Sequence, residues 1–138
     1  MGVKLVLSFN AWDTKTLIDL GFISLNLKYT INNGINFGLA SEASHSRQSL
    51  FAVISLIISL GTLIFALWRN TIRLAIAAGL LAGGGLTNAY ERVAYSGVFD
   101  YLNVTFAAIR NPYAFNIADI SILLGALLLL IPPKRKNN

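Results

Sequence analysis

The chain contains no cysteine, which excludes disulfide staples, thiolate nucleophiles and cysteine-bound metals. It has a single histidine, His45, so a zinc site lacks its usual ligand set. Charge is scarce as well. Only 12% of residues are Asp, Glu, Lys or Arg, about half the share carried by soluble domains. What fills the chain is hydrocarbon: 55% hydrophobic residues and a mean hydropathy of +0.63, the composition of an integral membrane protein. Its 138 residues suffice for one domain. The net charge of +5 raises the question of nucleic acid. The basic residues are scattered, however, except for Lys134-Arg135-Lys136, and no nucleic-acid partner is expected. A basic tail beside an apolar run reads more simply as a cytoplasmic anchor.

Residues 1–21 contain neither a signal-peptide core nor a transmembrane run, and Asp13, Lys15 and Asp19 read as a solvated surface. Residues 22–32 alternate, with Ile23, Leu25, Leu27, Tyr29 and Ile31 on one face and Ser24, Asn26, Lys28, Thr30 and Asn32 on the other. That period predicts a half-buried strand. Asn32-Asn33-Gly34 signals a turn, after which Ile35–Leu39 has the pattern to pair back. The polar residues 41–49, including His45, read as a solvated loop, so 1–49 is expected to be an extramembrane strand region. Transmembrane helices are expected at 50–68, 74–90 and 113–131, the last closed by Pro132-Pro133. The glycine run Gly83-Gly84-Gly85 reads as a close helix-packing surface. No Lys-Ser/Thr follows it, so it does not read as a phosphate-binding loop. The intervening loop, 91–112, contains a strand-like stretch at Val98–Phe106. With Arg69, Arg73 and the Lys134–Lys136 cluster inside, that loop and the N-terminal region are expected outside.

Two carboxylates then demand an explanation. Asp119 lies in the apolar segment that runs to Ile131, and a carboxylate in lipid costs several kcal/mol unless function or pairing accounts for it. Asp100 precedes it by nineteen positions, in a loop long enough to fold over the helix start. Read as a helix from 113, the last span places Asp119 about 10 Å below the membrane surface at ~1.5 Å per residue, with Asn116 one turn earlier on the same face. Two carboxylates brought together share a proton, one acting as acid and the other as base on a water. Asn88 and Arg92, four residues apart, can face the same site from the end of the second span. The plainer alternatives are an interfacial anchor for Arg92, an ordinary loop acid for Asp100 and an arginine partner for Asp119.

These residues resemble the motifs of the signal peptidase II (lipoprotein signal peptidase) family. The family's glycine-rich helix end and Asn-x-x-Asp-Arg appear as Gly83-Gly84 and Asn88-Ala89-Tyr90-Glu91-Arg92. Its Gly-x-Val-x-Asp appears as Gly97-Val98-Phe99-Asp100, and its Phe-Asn-x-Ala-Asp as Phe115-Asn116-Ile117-Ala118-Asp119. An upstream Asn-x-Gly-Ala-Ala-Phe is similar to Asn32-Asn33-Gly34-Ile35-Asn36-Phe37. The resemblance covers about residues 22–131. It departs from the family at Glu91, where the family has Asp, and at Asn36, where it has a small residue. It also lacks the family's first of four spans and its Asp-Gln…Lys motif, of which Asp13-Thr14-Lys15 is an echo.

The resemblance implies an α-helical membrane protein with a small extracytoplasmic β-cradle, in the bacterial inner membrane. It implies an aspartic endopeptidase that removes signal peptides from diacylglyceryl-modified prolipoproteins. Asp100 and Asp119 would be catalytic, and Asn32, Asn88, Arg92 and Asn116 would support them. The implied partners are prolipoprotein substrates and membrane lipids, with no metal or organic cofactor. Two other readings stay open: a catalytically silent relative that binds lipoprotein signal peptides or lipid, and a proton-relay subunit. The second wants polar residues on several spans, whereas 50–68 offers only Ser55, Ser59 and Thr62.

Overall fold

The computed structural model describes residues 14–33, 45–106 and 111–132. The Ile35–Leu39 strand and the Lys134–Lys136 anchor lie outside them. Within them run β1 (Lys15–Asp19), β2 (Ile23–Asn32), α1 (His45–Arg69), α2 (Ile72–Tyr95), β3 (Val98–Phe106) and α3 (Ile117–Leu130).

The helices are apolar almost all round. Large side chains such as Ile57, Ile64 and Leu67 on α1 and Leu123 and Leu127 on α3 are exposed, the pattern of helices solvated by lipid. At 25 and 24 residues, α1 and α2 are long enough to cross a bilayer. α2 lies between the other two helices, and small residues let them approach. A Cβ on Gly84 would lie 2.4 Å from the Ala118 carbonyl oxygen of α3, and one on Gly85 would lie 2.6 Å from Ser59 Oγ of α1. Gly125 of α3 faces the Ala77 carbonyl and Leu81 just as closely. The glycine run is therefore a packing surface on both sides of α2.

The strands form one antiparallel sheet in the order β1-β2-β3. β2 falls where alternation places it, and β3 matches the strand-like stretch. Three boundaries before the last helix differ from expectation. Lys15–Asp19 is an exposed edge strand rather than plain surface, because its backbone finds a ladder on β2. The loop expected over 41–49 gives way to helix at His45, as Gln48 buries its amide against polar partners. α2 continues to Tyr95, and the left-handed Ser96 (φ 57°) caps it.

The third helix is shorter than expected, running over 117–130 instead of 113–131. Residues 111–115 are zipped onto β3: Phe115 N donates to the Leu102 carbonyl at 2.8 Å, and Leu102 N returns the bond at 2.8 Å. Asn103 Nδ2 clamps the same segment by donating to the carbonyls of Asn111 (2.8 Å) and Tyr113 (2.7 Å). The helix cannot start until this pairing ends.

The faces of β2 also need correction. The register against β3 slips between Leu27 and Thr30. One extra residue in β2 exchanges inside for outside. Leu25 and Leu27 consequently share a face with Thr30, Asn32 and Asp100, whereas unbroken alternation would oppose them.

Candidate active site

Asp100 is the third residue of β3 and is 2% exposed. Register places it beside Thr30, near the end of β2. Asn32, at that end, donates Nδ2 to Asp100 Oδ2 at 2.9 Å. Gly97 permits this approach, since a Cβ there would lie 2.6 Å from Asn33 Oδ1.

Asp119 comes from the other direction, as the third residue of α3. Asn116 is the N-cap, and the two form a reciprocal capping box. Asp119 N donates to Asn116 Oδ1 at 2.9 Å, and Asn116 N donates to Asp119 Oδ2 at 3.1 Å. Asp119 thus lies in the first turn, at the positive end of the helix dipole, and not about 10 Å down a longer helix.

Asn116 joins the two acids. Its Nδ2 donates to Asp100 Oδ1 at 3.1 Å and to Asn88 Oδ1 at 3.2 Å. Asn88, from α2, passes the connection on by donating Nδ2 to Asp119 Oδ1 at 2.8 Å. Both oxygens of each carboxylate therefore accept an N–H, and every amide in the chain Asp100–Asn116–Asn88–Asp119 has one consistent orientation.

Burial pushes the Asp100 carboxyl above the ordinary carboxylate value, and the nearby Asp119 charge adds to the rise. Hydrogen bonds from Asn32 and Asn116 and the Arg92 cation oppose it. Arg92 rests its guanidinium 5.1 Å from the centre of the Phe51 ring and donates Nη1 to Gln48 Oε1 at 2.7 Å. The structure thus brings Asn32, Asn88, Arg92, Asp100, Asn116 and Asp119 around one point. His45, at the start of α1, is on the rim with its Nδ1 3.3 Å from Ser96 Oγ. Among the described residues, no three His, Cys, Asp or Glu side chains converge as a metal site would require.

Three further residues, Gln48, Asn103 and Tyr101, escaped sequence reasoning, and Glu91 stood out there only as a motif position. Gln48, 1% exposed, links Arg92 to the Asn33 carbonyl. Glu91 accepts from Phe99 N at 2.9 Å, tying α2 to the residue before Asp100. Asn103 clamps the entry to α3. Tyr101 OH accepts from Ile117 N at 3.4 Å. The only available signal was position: Tyr101 adjoins Asp100, whereas Gln48 and Asn103 sit in stretches that look unremarkable. A groove of about 360 Å³ opens next to Asn116 between α2 and α3, with neither Asp100 nor Asp119 in its lining. Gly83, Gly84 and Thr87 line one wall, Ala118 and Ser121 the other, and Glu91, Tyr101 and Asn116 its end.

A helical membrane bundle with an acid pair bridged by asparagines, seated where the helices meet a small sheet, defines a polytopic membrane protein with a polar site at one end of its helices. The sequence pattern of signal peptidase (SPase) II matches residues 2–132, and the chain belongs to that family. A lipoprotein signal peptidase of Methylorubrum extorquens (strain PA1) is 33% identical over 104 residues, covering 75% of this chain and 60% of that protein. One from Maridesulfovibrio salexigens is 32% identical over 124 residues, covering 87% and 76%. One from Aquifex aeolicus (strain VF5) is 36% identical over 111 residues, covering 80% and 65%. The chain thus spans about three-fifths of the first of these relatives. Two solved structures of a bacterial membrane enzyme, obtained by the in meso method at 1.9 and 2.3 Å resolution, share the fold with TM-scores of 0.73 and 0.68. Each is 24% identical and covers 93% of this chain, which in turn covers 79% and 74% of theirs.

Proposed function

We propose that the chain is an aspartic endopeptidase of the bacterial inner membrane that removes signal peptides from diacylglyceryl-modified prolipoproteins. On this reading it acts as one membrane domain with its site on the extracytoplasmic side. The observation that carries the reading is Asn116, which holds Asp100 through its side chain and Asp119 through its backbone. The names of the relatives supply the substrate class.

The pair carries one proton between its two carboxyls. The ionised member takes a proton from water, and the oxygen so activated adds to the scissile carbonyl carbon. The protonated member gives its proton to the carbonyl oxygen, forming a tetrahedral diol. Collapse of the diol breaks the C–N bond, and a proton passes to the leaving amine. Arg92 holds the single negative charge of the pair in place, and the Asn88–Asn116 chain fixes the distance between the acids. The α2–α3 groove offers a seat for an extended peptide, with the lipid chains remaining in the bilayer.

The test uses the full chain in lipid with a diacylglyceryl-modified precursor and its unmodified counterpart, products being read by mass spectrometry. Cleavage of the modified precursor alone, immediately before the lipidated residue, is the expected result. No cleavage at any pH, or equal cleavage of both precursors, overturns the proposal.

A further inference from the structure

We propose that Gln48 is a positioning residue for the acid pair, holding Arg92 at the height from which its cation acts on Asp100; the proposal rests on the reading of the pair given above.

Gln48 lies one turn inside α1 and touches neither carboxylate. Its amide is nonetheless almost wholly enclosed, and both ends are used. Oε1 accepts from Arg92 Nη1 at 2.7 Å, and Nε2 donates to the Asn33 carbonyl at 2.5 Å. Each bond leads towards a group that acts on Asp100. Arg92 supplies a cation, and Asn33 follows Asn32, whose amide donates to Asp100 Oδ2.

The guanidinium has two recorded supports, the Phe51 ring and Gln48. The ring face sets a plane, and the carbonyl oxygen fixes where along that plane the nitrogen sits. An apolar residue at position 48 would leave Arg92 free to turn towards lipid phosphate, which is a strong competing acceptor. Among the described residues, the ionisable groups on the elements around Asp100 include Arg92 and Glu91 from α2, Asp119 from α3, Tyr29 from β2, Tyr101 from β3 and, on the rim, His45 from α1. β2 contributes the neutral Asn32, and α1 the neutral Gln48. Arg92 is the cation that acts on Asp100, so displacing it changes the field there in one direction. The carboxyl becomes harder to ionise.

The chain has four aspartates, so aspartate-selective carboxyl ¹³C labelling gives four resonances, and Asp100→Asn assigns the one that matters. In Gln48→Met the Asp100 titration midpoint should rise by about half a pH unit or more. Arg92→Ala should raise it at least as far, and adding Gln48→Met to Arg92→Ala should raise it no further, because the glutamine acts through the arginine. Gln48→Glu keeps volume and polarity while a carboxylate takes up the Arg92 charge, so it should also raise the midpoint; it decides the matter if the methionine variant does not fold. With a lipidated precursor, kcat in Gln48→Met should fall about tenfold with less than a threefold change in KM. The proposal is overturned if the folded variants at position 48 titrate like the parent, or if the shift persists in full on top of Arg92→Ala. The titration is readable whether or not the parent cleaves anything, so absence of cleavage counts against the proposed function alone.

Discussion

Asp100 has neighbours that pull its ionisation in opposite directions. Burial and Asp119 favour its neutral form, while Asn32, Asn116 and Arg92 favour its anion, and the net effect lifts the carboxyl above its ordinary value. A folded state that binds the proton more tightly than the unfolded chain gains stability at low pH. That gain is complete below the ordinary carboxylate value near 3.8 and is lost as pH rises through the raised one. The Tm of the parent relative to Asp100→Asn should therefore fall as pH is raised from about 4, measured by thermal unfolding of both proteins in one detergent. A relative Tm that climbs over that interval would contradict the assignment. That Asp100, Asp119, Asn32, Asn88, Arg92 and Asn116 gather was legible because an acid in an apolar run is conspicuous and the motifs around it have fixed spacings. Gln48 was not legible. A glutamine in a polar stretch looks solvated, and only the fold reveals that α1 starts there and buries it.

The helices themselves could be read from the length of their apolar runs, but their ends could not. Hydropathy reports the energy of a segment in lipid and is blind to the hydrogen bonds that start or stop a helix. Asn116 starts α3 because its side chain caps Asp119 N, and Phe115 stays outside because it is paired to Leu102. In the sheet, alternation located β2 yet mispaired its faces, because the slip between Leu27 and Thr30 leaves no mark in the pattern. The glycine run separates packing from access. A side chain on Gly84 drives into the Ala118 carbonyl, whereas Gly83 has open space and lines the groove. Gly84→Leu should lower stability by about 1–3 kcal/mol, the range for forced overpacking. Gly83→Leu should leave the Tm within a degree or two and raise KM several-fold. Unfolding scans and steady-state kinetics on both variants check this, and equal Tm values for the two would contradict the packing assignment.

Across the whole molecule, the Arg69–Arg73 turn and the end of α3 lie together, with Arg73 Nη1 donating to the Ile131 carbonyl. The sheet and the acid pair gather at the opposite end of the bundle. Because the chain has no native cysteine, single cysteines at Thr71 and Tyr113 are unique labels. An impermeant thiol reagent added outside should modify the one at Tyr113 and reach the one at Thr71 only after permeabilisation; equal labelling of both from outside would contradict this orientation. In the proposed function, the acid pair at this end of the bundle meets a substrate anchored in lipid, with water within reach. The central claim, that Asp100 and Asp119 work as one proton-sharing unit, is tested most directly by a double-substitution cycle. Cleavage rates of a diacylglyceryl-modified precursor would be measured in lipid for the parent, Asp100→Asn, Asp119→Asn and the double variant, each verified as folded. The account predicts that either single change abolishes cleavage and that the double variant is no worse than the more damaged single. Losses that multiply, or parent-rate cleavage by either well-folded single variant, would contradict it.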